Sequence, residues 1–233
     1  MIASLHYRAP TAVRDRALLV MLPGVGIEAG EFADRGLVAS LHQRGLAVDV
    51  VAARPALDLY LDDTVAAEIH RAVVAPALAA GYERIWFLGI SLGGMGALLY
   101  ASSRAGPVEG VVLLAPFLGT QGTVAEVAAA GGLAAWSADG SAATNGERRM
   151  LLWLKDVLAK PPAEPALYLG YGRDDRFARG HMLLAEWLPR DRVFTAAGGH
   201  DWDTWATLWG RVLDAEPFAE RGRHGSRHAG QAN

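Results

Sequence analysis

The residues Gly89-Ile90-Ser91-Leu92-Gly93 sit between an apolar run of strand length, Ile85-Trp86-Phe87-Leu88, and a small-residue stretch, Gly94-Met95-Gly96-Ala97, that leads into Leu98-Leu99-Tyr100-Ala101. A strand that becomes a helix within so few residues must turn sharply. The residue at the apex is held in a strained conformation that pushes its side chain out of the sheet, and its neighbours two places away have to be small. This junction constrains the fold more than any other segment, because it demands a sheet whose strands are followed by helices. It also makes Ser91 a candidate nucleophile. The chain has 27 glycines, so the bland reading is an incidental serine in a glycine-rich junction. The strand before it and the helix-forming stretch after it weigh against that.

The rest of the chain repeats the same alternation. Strand-like runs at Ala17 to Leu22, Leu46 to Ala52, Arg84 to Gly89, Val108 to Ala115, Ala166 to Gly170 and Arg192 to Ala196 are separated by segments of helical period. Those helical segments are Leu37 to Arg44, Thr64 to Ala80, the stretch after Ser91 to about Arg104, Met182 to Trp187 and Trp202 to Leu213. Parallel strands joined by crossover helices give this pattern, so the expected fold is α/β with a mostly parallel central sheet flanked by helices. Ser4 to Arg8 fits an additional edge strand. Thr120 to Pro161 breaks the alternation with Ala and Gly and few strand formers, and Glu147 to Ala159 carries apolar residues at the spacing of one buried helical face. This segment is expected to be a small helical lid inserted over the sheet's carboxyl edge, with a packing excursion as the equal alternative. Residues 1–215 then form a single domain, and Glu216 to Asn233, polar and rich in Arg and His, reads as a mobile tail.

Composition narrows the function classes. A net charge of −3 gives no reason to expect nucleic acid or an anionic membrane as partner. The absence of cysteine removes disulfides, thiolate metal sites and a cysteine nucleophile together. No apolar run approaches the ~20 residues that cross a bilayer, and the first eight residues lack a secretory pattern, so a cytoplasmic protein is expected.

A serine hydroxyl needs a base within hydrogen-bond reach, and the base needs an acceptor on its other nitrogen. Of seven histidines, His200 fits best, because it follows the strand Val193-Phe194-Thr195-Ala196 and the flexible pair Gly198-Gly199. His42 and His70 fall on the polar side of helices, His181 at a helix start where capping or exposure explains it, and His6, His224 and His228 near the termini. For the acid, the strand Tyr168-Leu169-Gly170 runs into a turn carrying Asp174 and Asp175. Asp175 is preferred, since turn aspartates such as Asp174 commonly bond local backbone. Asp201 and Asp203 read as caps of the following helix.

The order Ser91, Asp175, His200 is the nucleophile-acid-base order of the α/β-hydrolases. With the elbow and with Gly199-His200-Asp201-Trp202, the chain resembles the α/β-hydrolase superfamily, its serine esterases in particular, over roughly Ala17 to Leu213. The resemblance implies a serine hydrolase acting on a small-molecule acyl substrate, with no cofactor and no metal. It also implies an oxyanion hole formed by the backbone N–H groups of Leu92 and of Val25, in Leu22-Pro23-Gly24-Val25-Gly26; many members have His-Gly where this chain has Pro23-Gly24. Trp136 and Trp153 in the insertion are expected to line an acyl pocket.

Two other readings compete. A non-catalytic α/β-hydrolase-fold binding protein uses the same architecture. A dinucleotide-binding oxidoreductase is suggested by Gly24-Val25-Gly26-Ile27-Glu28-Ala29-Gly30 after a strand, with Asp49 on the next strand as the ribose acid. That second reading leaves the elbow, Asp175 and His200 unexplained.

Overall fold

A computed structural model of the chain describes residues 2–10, 16–138, 145–160, 163–215 and 218. Seven strands form one sheet: β1 (Ala3–Tyr7), β2 (Ala17–Leu22), β3 (Val48–Arg54), β4 (Arg84–Ile90), β5 (Gly110–Leu114), β6 (Ala166–Gly172) and β7 (Val193–Ala196), in the spatial order β1-β3-β2-β4-β5-β6-β7. The edge strand β1 runs antiparallel to β3, and all other pairs are parallel. The helices are α1 (Glu31–Asp34), α2 (Leu37–Gln43), α3 (Leu57–Leu61), α4 (Val65–Ile69), α5 (Ala75–Ala79), α6 (Leu92–Ser103), α7 (Gln121–Ala129), α8 (Gly146–Leu158), α9 (Ala178–Ala185) and α10 (Trp202–Leu213).

Strands buried on both faces read as continuous apolar runs, and here successive residues serve two separate cores. Leu19, Met21, Trp86 and Leu88 pack with Phe32 of α1, Leu41 of α2 and Trp209 of α10. Leu18, Val20, Phe87 and Val111 pack on the other face with Ile69 of α4, Leu98 of α6, Met150 of α8 and Leu184 of α9. Phe218, which the sequence suggested would belong to a polar tail, is buried against Trp86 with ring centroids 4.8 Å apart. The rest of 216–233, and 139–144 and 161–162 of the expected insertion, lie outside the described residues. Among the described residues no helix is long and apolar enough to cross a membrane.

The strand order positions a site. From β2 the chain goes to β3 on one side and then returns to β4 on the other, so the winding reverses and a crevice opens between the carboxyl ends of β2 and β4. Leu22 of β2 is level with Gly89 of β4. The segments that follow them, Pro23-Gly24-Val25 and Ile90-Ser91-Leu92, therefore leave the sheet side by side.

Candidate active site

The backbone at Ser91 has φ 52° and ψ −116°, outside the conformations an L-residue ordinarily takes. Its surroundings hold it there. Its N–H donates to the Leu114 carbonyl at 3.0 Å, and its own carbonyl accepts from Phe117 N–H at 2.8 Å and Gly94 N–H at 3.0 Å. The flanking glycines are explained by close approach: a Cβ on Gly89 would lie 2.4 Å from the Gly93 carbonyl oxygen, and one on Gly93 would lie 2.0 Å from the Leu22 carbonyl oxygen. Gly24 also comes close, its would-be Cβ 3.1 Å from the Ser91 Cβ.

Asp175 and His200 come from the neighbouring strands β6 and β7, whose ends pair at Gly172 and Ala196. The loops beyond are tied together by Arg173 N–H to the Ala196 carbonyl at 2.9 Å and Asp174 N–H to the Gly198 carbonyl at 3.0 Å. His200 Nδ1–H donates to Asp175 Oδ2 at 2.8 Å, and the other carboxylate oxygen accepts Phe177 N–H at 2.8 Å. The Asp175 side chain is wholly buried. Burial by itself raises a carboxyl's pKa, but the hydrogen bonds from His200 and from the Phe177 backbone outweigh it and hold Asp175 below its ordinary value. Asp174, an exposed neighbour, instead accepts Gly198 N–H at 3.3 Å. Asp201 caps α10 by accepting Thr204 N–H at 2.9 Å.

With Nδ1–H committed to Asp175, a neutral His200 presents its lone pair on Nε2. The ring is fixed edge-to-face against Phe177 and against Trp205, each with centroids 5.1 Å away. Ser91, His200, Val25 and Leu92 all line one cleft of about 450 Å³, walled by Ile27, Tyr60, Met95 and Phe117. Among the described residues His200 hydrogen-bonds Asp175 and not Ser91. Leu92 is the first residue of α6, where N–H groups have no intrahelical partner, and among the described residues the Val25 N–H has no acceptor either.

Several expectations are corrected. Trp136 and Trp153 do not line this cleft. Trp136 is buried in the core with its Nε1–H on Glu126 at 2.9 Å, and Trp153 packs partly buried on the same core. The apolar face of α8 packs on the core beside α6, and Glu147 at the start of α8 reaches the cleft wall. His181 is neither a cap nor exposed: α9 begins earlier than expected, at Ala178, and buries the ring completely. Its Nε2–H donates to the Pro116 carbonyl at 2.9 Å, and burial pushes its pKa down. Asp49 is level with Leu18 near the start of β2, at the opposite end of the sheet from Gly24, where it pairs with Arg8 at 2.9 Å and accepts from Tyr82. It is thus too far from the glycine loop to share a dinucleotide with it. Phe117 and Phe177 carry no sequence signal of their place here, since an aromatic beside the His200 ring has the same pattern as one in the core. Among the described residues no cluster of His, Asp or Glu has the makings of a metal site.

No family model matches this sequence, and no curated protein matches it by sequence. Solved structures do match. An S-formylglutathione hydrolase from Staphylococcus aureus superposes with a TM-score of 0.62 at 14% identity, over 91% of this chain and 95% of that one. A monoacylglycerol lipase from Paleococcus ferrophilus gives 0.56 at 16% identity over 99% and 97%, and a thioesterase domain from the curacin biosynthetic pathway 0.54 at 14% over 91% and 95%. The chain has the α/β-hydrolase fold. In an α/β-hydrolase fold the loops after β2, β4, β6 and β7 all meet at the carboxyl edge. The cleft described above sits at that edge.

Proposed function

We propose that this α/β-hydrolase-fold chain is a serine hydrolase that cleaves a carboxylic ester or related acyl bond through an acyl-enzyme. Ser91 Oγ attacks the carbonyl carbon while His200 Nε2 takes its proton. Asp175 keeps the imidazole in the required tautomer and stabilises the imidazolium, and the N–H groups of Val25 and Leu92 donate to the oxyanion. As the tetrahedral species collapses, His200 returns the proton to the departing alcohol or thiol. Water, activated by the same base, then releases the acid. The observation that carries this reading is the 2.8 Å bond from His200 to a buried Asp175, made on the same cleft onto which the strained Ser91 opens. The neighbours named above include an S-formylglutathione hydrolase, a lipase and a thioesterase, so the reading extends to esters and thioesters alike.

A fluorophosphonate probe tests it directly. Wild type is expected to be labelled at Ser91 and Ser91→Ala not at all; a folded wild type that stays unlabelled would sink the assignment. Asp175→Asn, which removes the acceptor that orients His200, is expected to lower kcat by about 10⁴-fold. Asp174→Asn, losing only a loop contact, should change it by less than about twofold, a change within about 0.5 kcal/mol. The reverse ranking in the two kcat values would move the acid to Asp174.

A further inference from the structure

The cleft at Ser91 does not end at Phe177. A second cavity of about 350 Å³ adjoins it, sharing Arg176 and Phe177, and is lined further by Arg179 and Gly180 of α9 and by Pro116, Leu118, Gln121 and Val124. Its remaining charged lining residue is Arg179, so two guanidiniums and no carboxylate face this space. Among the described residues neither arginine is in an ion pair. The acids nearby are engaged elsewhere. Glu147, on the wall of the first cleft, accepts Thr120 N–H at 3.0 Å and the Thr123 hydroxyl at 2.9 Å; Glu126 pairs with Arg148 at 2.6 Å, and Asp63 with Arg149 at 2.6 Å. Arg176 is not loose: its guanidinium stacks over the Phe177 ring at 4.9 Å, beside the ring that packs on His200.

We propose that this bay is a binding site for a carboxylate carried on one arm of the substrate, and that the enzyme's substrates are esters or thioesters bearing such a group. The inference rests on the serine-hydrolase reading and narrows it. A guanidinium held flat by an aromatic ring offers two parallel donors in the geometry a carboxylate matches. Arg176 and Arg179 are both exposed and keep their water when a neutral chain occupies the bay, so the gain expected from them is specific to an anionic arm. Arg176 and Phe177 line both spaces, so a substrate arm that passes these two side chains from Ser91 would enter the bay.

The test compares kcat/KM for matched pairs. The first pair is nitrophenyl half-esters of glutarate and adipate against neutral nitrophenyl esters of equal chain length, corrected for spontaneous hydrolysis. The second is 4-carboxyphenyl butyrate against phenyl butyrate. In one of the two series the carboxylate ester is expected to be favoured by at least about tenfold, the scale of one charge-assisted hydrogen bond of about 1.5–3 kcal/mol. Arg176→Gln combined with Arg179→Gln should reduce that ratio about tenfold, and Arg176→Lys should restore part of it. Arg190→Gln, on the turn before β7, should leave the ratio unchanged. Ratios near one in both series, or a preference that survives the double substitution, overturn the bay while leaving neutral-ester turnover and the Ser91 label as support for the hydrolase. If no ester turns over and Ser91 is not labelled, the hydrolase reading fails and the bay falls with it.

Discussion

Ser91→Ala and His200→Ala are each expected to lower kcat toward a neutral nitrophenyl ester by about 10⁴–10⁶-fold, and the double variant to lose little more than either alone. The reason lies in the geometry. A serine hydroxyl does not give up its proton at neutral pH unless a base receives it. The lone pair available for that is on the Nε2 of a ring whose Nδ1–H is already held by Asp175 at 2.8 Å. Remove the serine and the base has nothing to activate; remove the base and the serine is an ordinary alcohol. The residual turnover should reflect binding and the two N–H donors at Val25 and Leu92. Steady-state kinetics on all three variants, with melting curves to show that each remains folded, measures the coupling. Losses that multiply would mean the two side chains act independently, and the proposed base would have to be sought elsewhere.

The same comparison shows where the sequence carried its information. The parallel sheet was legible because strands buried on both faces are written as unbroken apolar runs such as Leu18 to Leu22, and the alternate residues of that run do serve the two opposite cores. Boundaries were harder where a local exception intervenes. Strand β5 starts at Gly110, two residues later than its apolar run suggests, and a Cβ there would lie 2.3 Å from the Trp86 ring. The helix read as Thr64 to Ala80 contains a π turn at His70–Val74 just before Pro76, whose missing N–H cannot continue the regular ladder. In the candidate site, the placement of Ser91, Asp175 and His200 could be anticipated because each follows a strand, and the structure puts Ser91 and His200 on one cleft with Asp175 bonded to the ring. Trp136 was misread because a pattern of spacing reports that a face is buried but not against what, and His181 because α9 begins at Ala178, a turn earlier than its apolar run suggests. Arg176 and Arg179 gave no signal, because an arginine at a cleft and one on a solvated surface differ only in where the neighbouring carboxylates have gone.

Gly93→Ala is expected to be the most damaging single substitution for stability, removing at least about 4 kcal/mol or preventing folding, the range reserved for changes the backbone cannot absorb. Its Cβ would meet the Leu22 carbonyl oxygen at 2.0 Å, that carbonyl's carbon at 2.4 Å and the Pro23 oxygen at 2.7 Å. All three atoms are backbone, at the end of a fully buried strand, so no side chain can rotate away. Two other glycines set the scale. At Gly94 the intruding Cβ would meet Pro116 Cβ at 2.8 Å and its Cα at 3.0 Å, a smaller overlap against an equally rigid partner. At Gly26 there is open space, and only its φ of +76° opposes a side chain, a cost of about 1–2 kcal/mol. Urea unfolding should therefore rank the three alanine variants Gly93, Gly94, Gly26 from least to most stable. Wild-type stability in Gly93→Ala would show that β2 and α6 do not approach as closely as this. The contact matters beyond stability, because it is what brings the Pro23-Gly24-Val25 loop against the first turn of α6. Any Gly93→Ala protein that does fold should lose fluorophosphonate reactivity far out of proportion to its population of unfolded chains, since spreading the two segments separates the Val25 and Leu92 N–H groups that must meet at one oxygen.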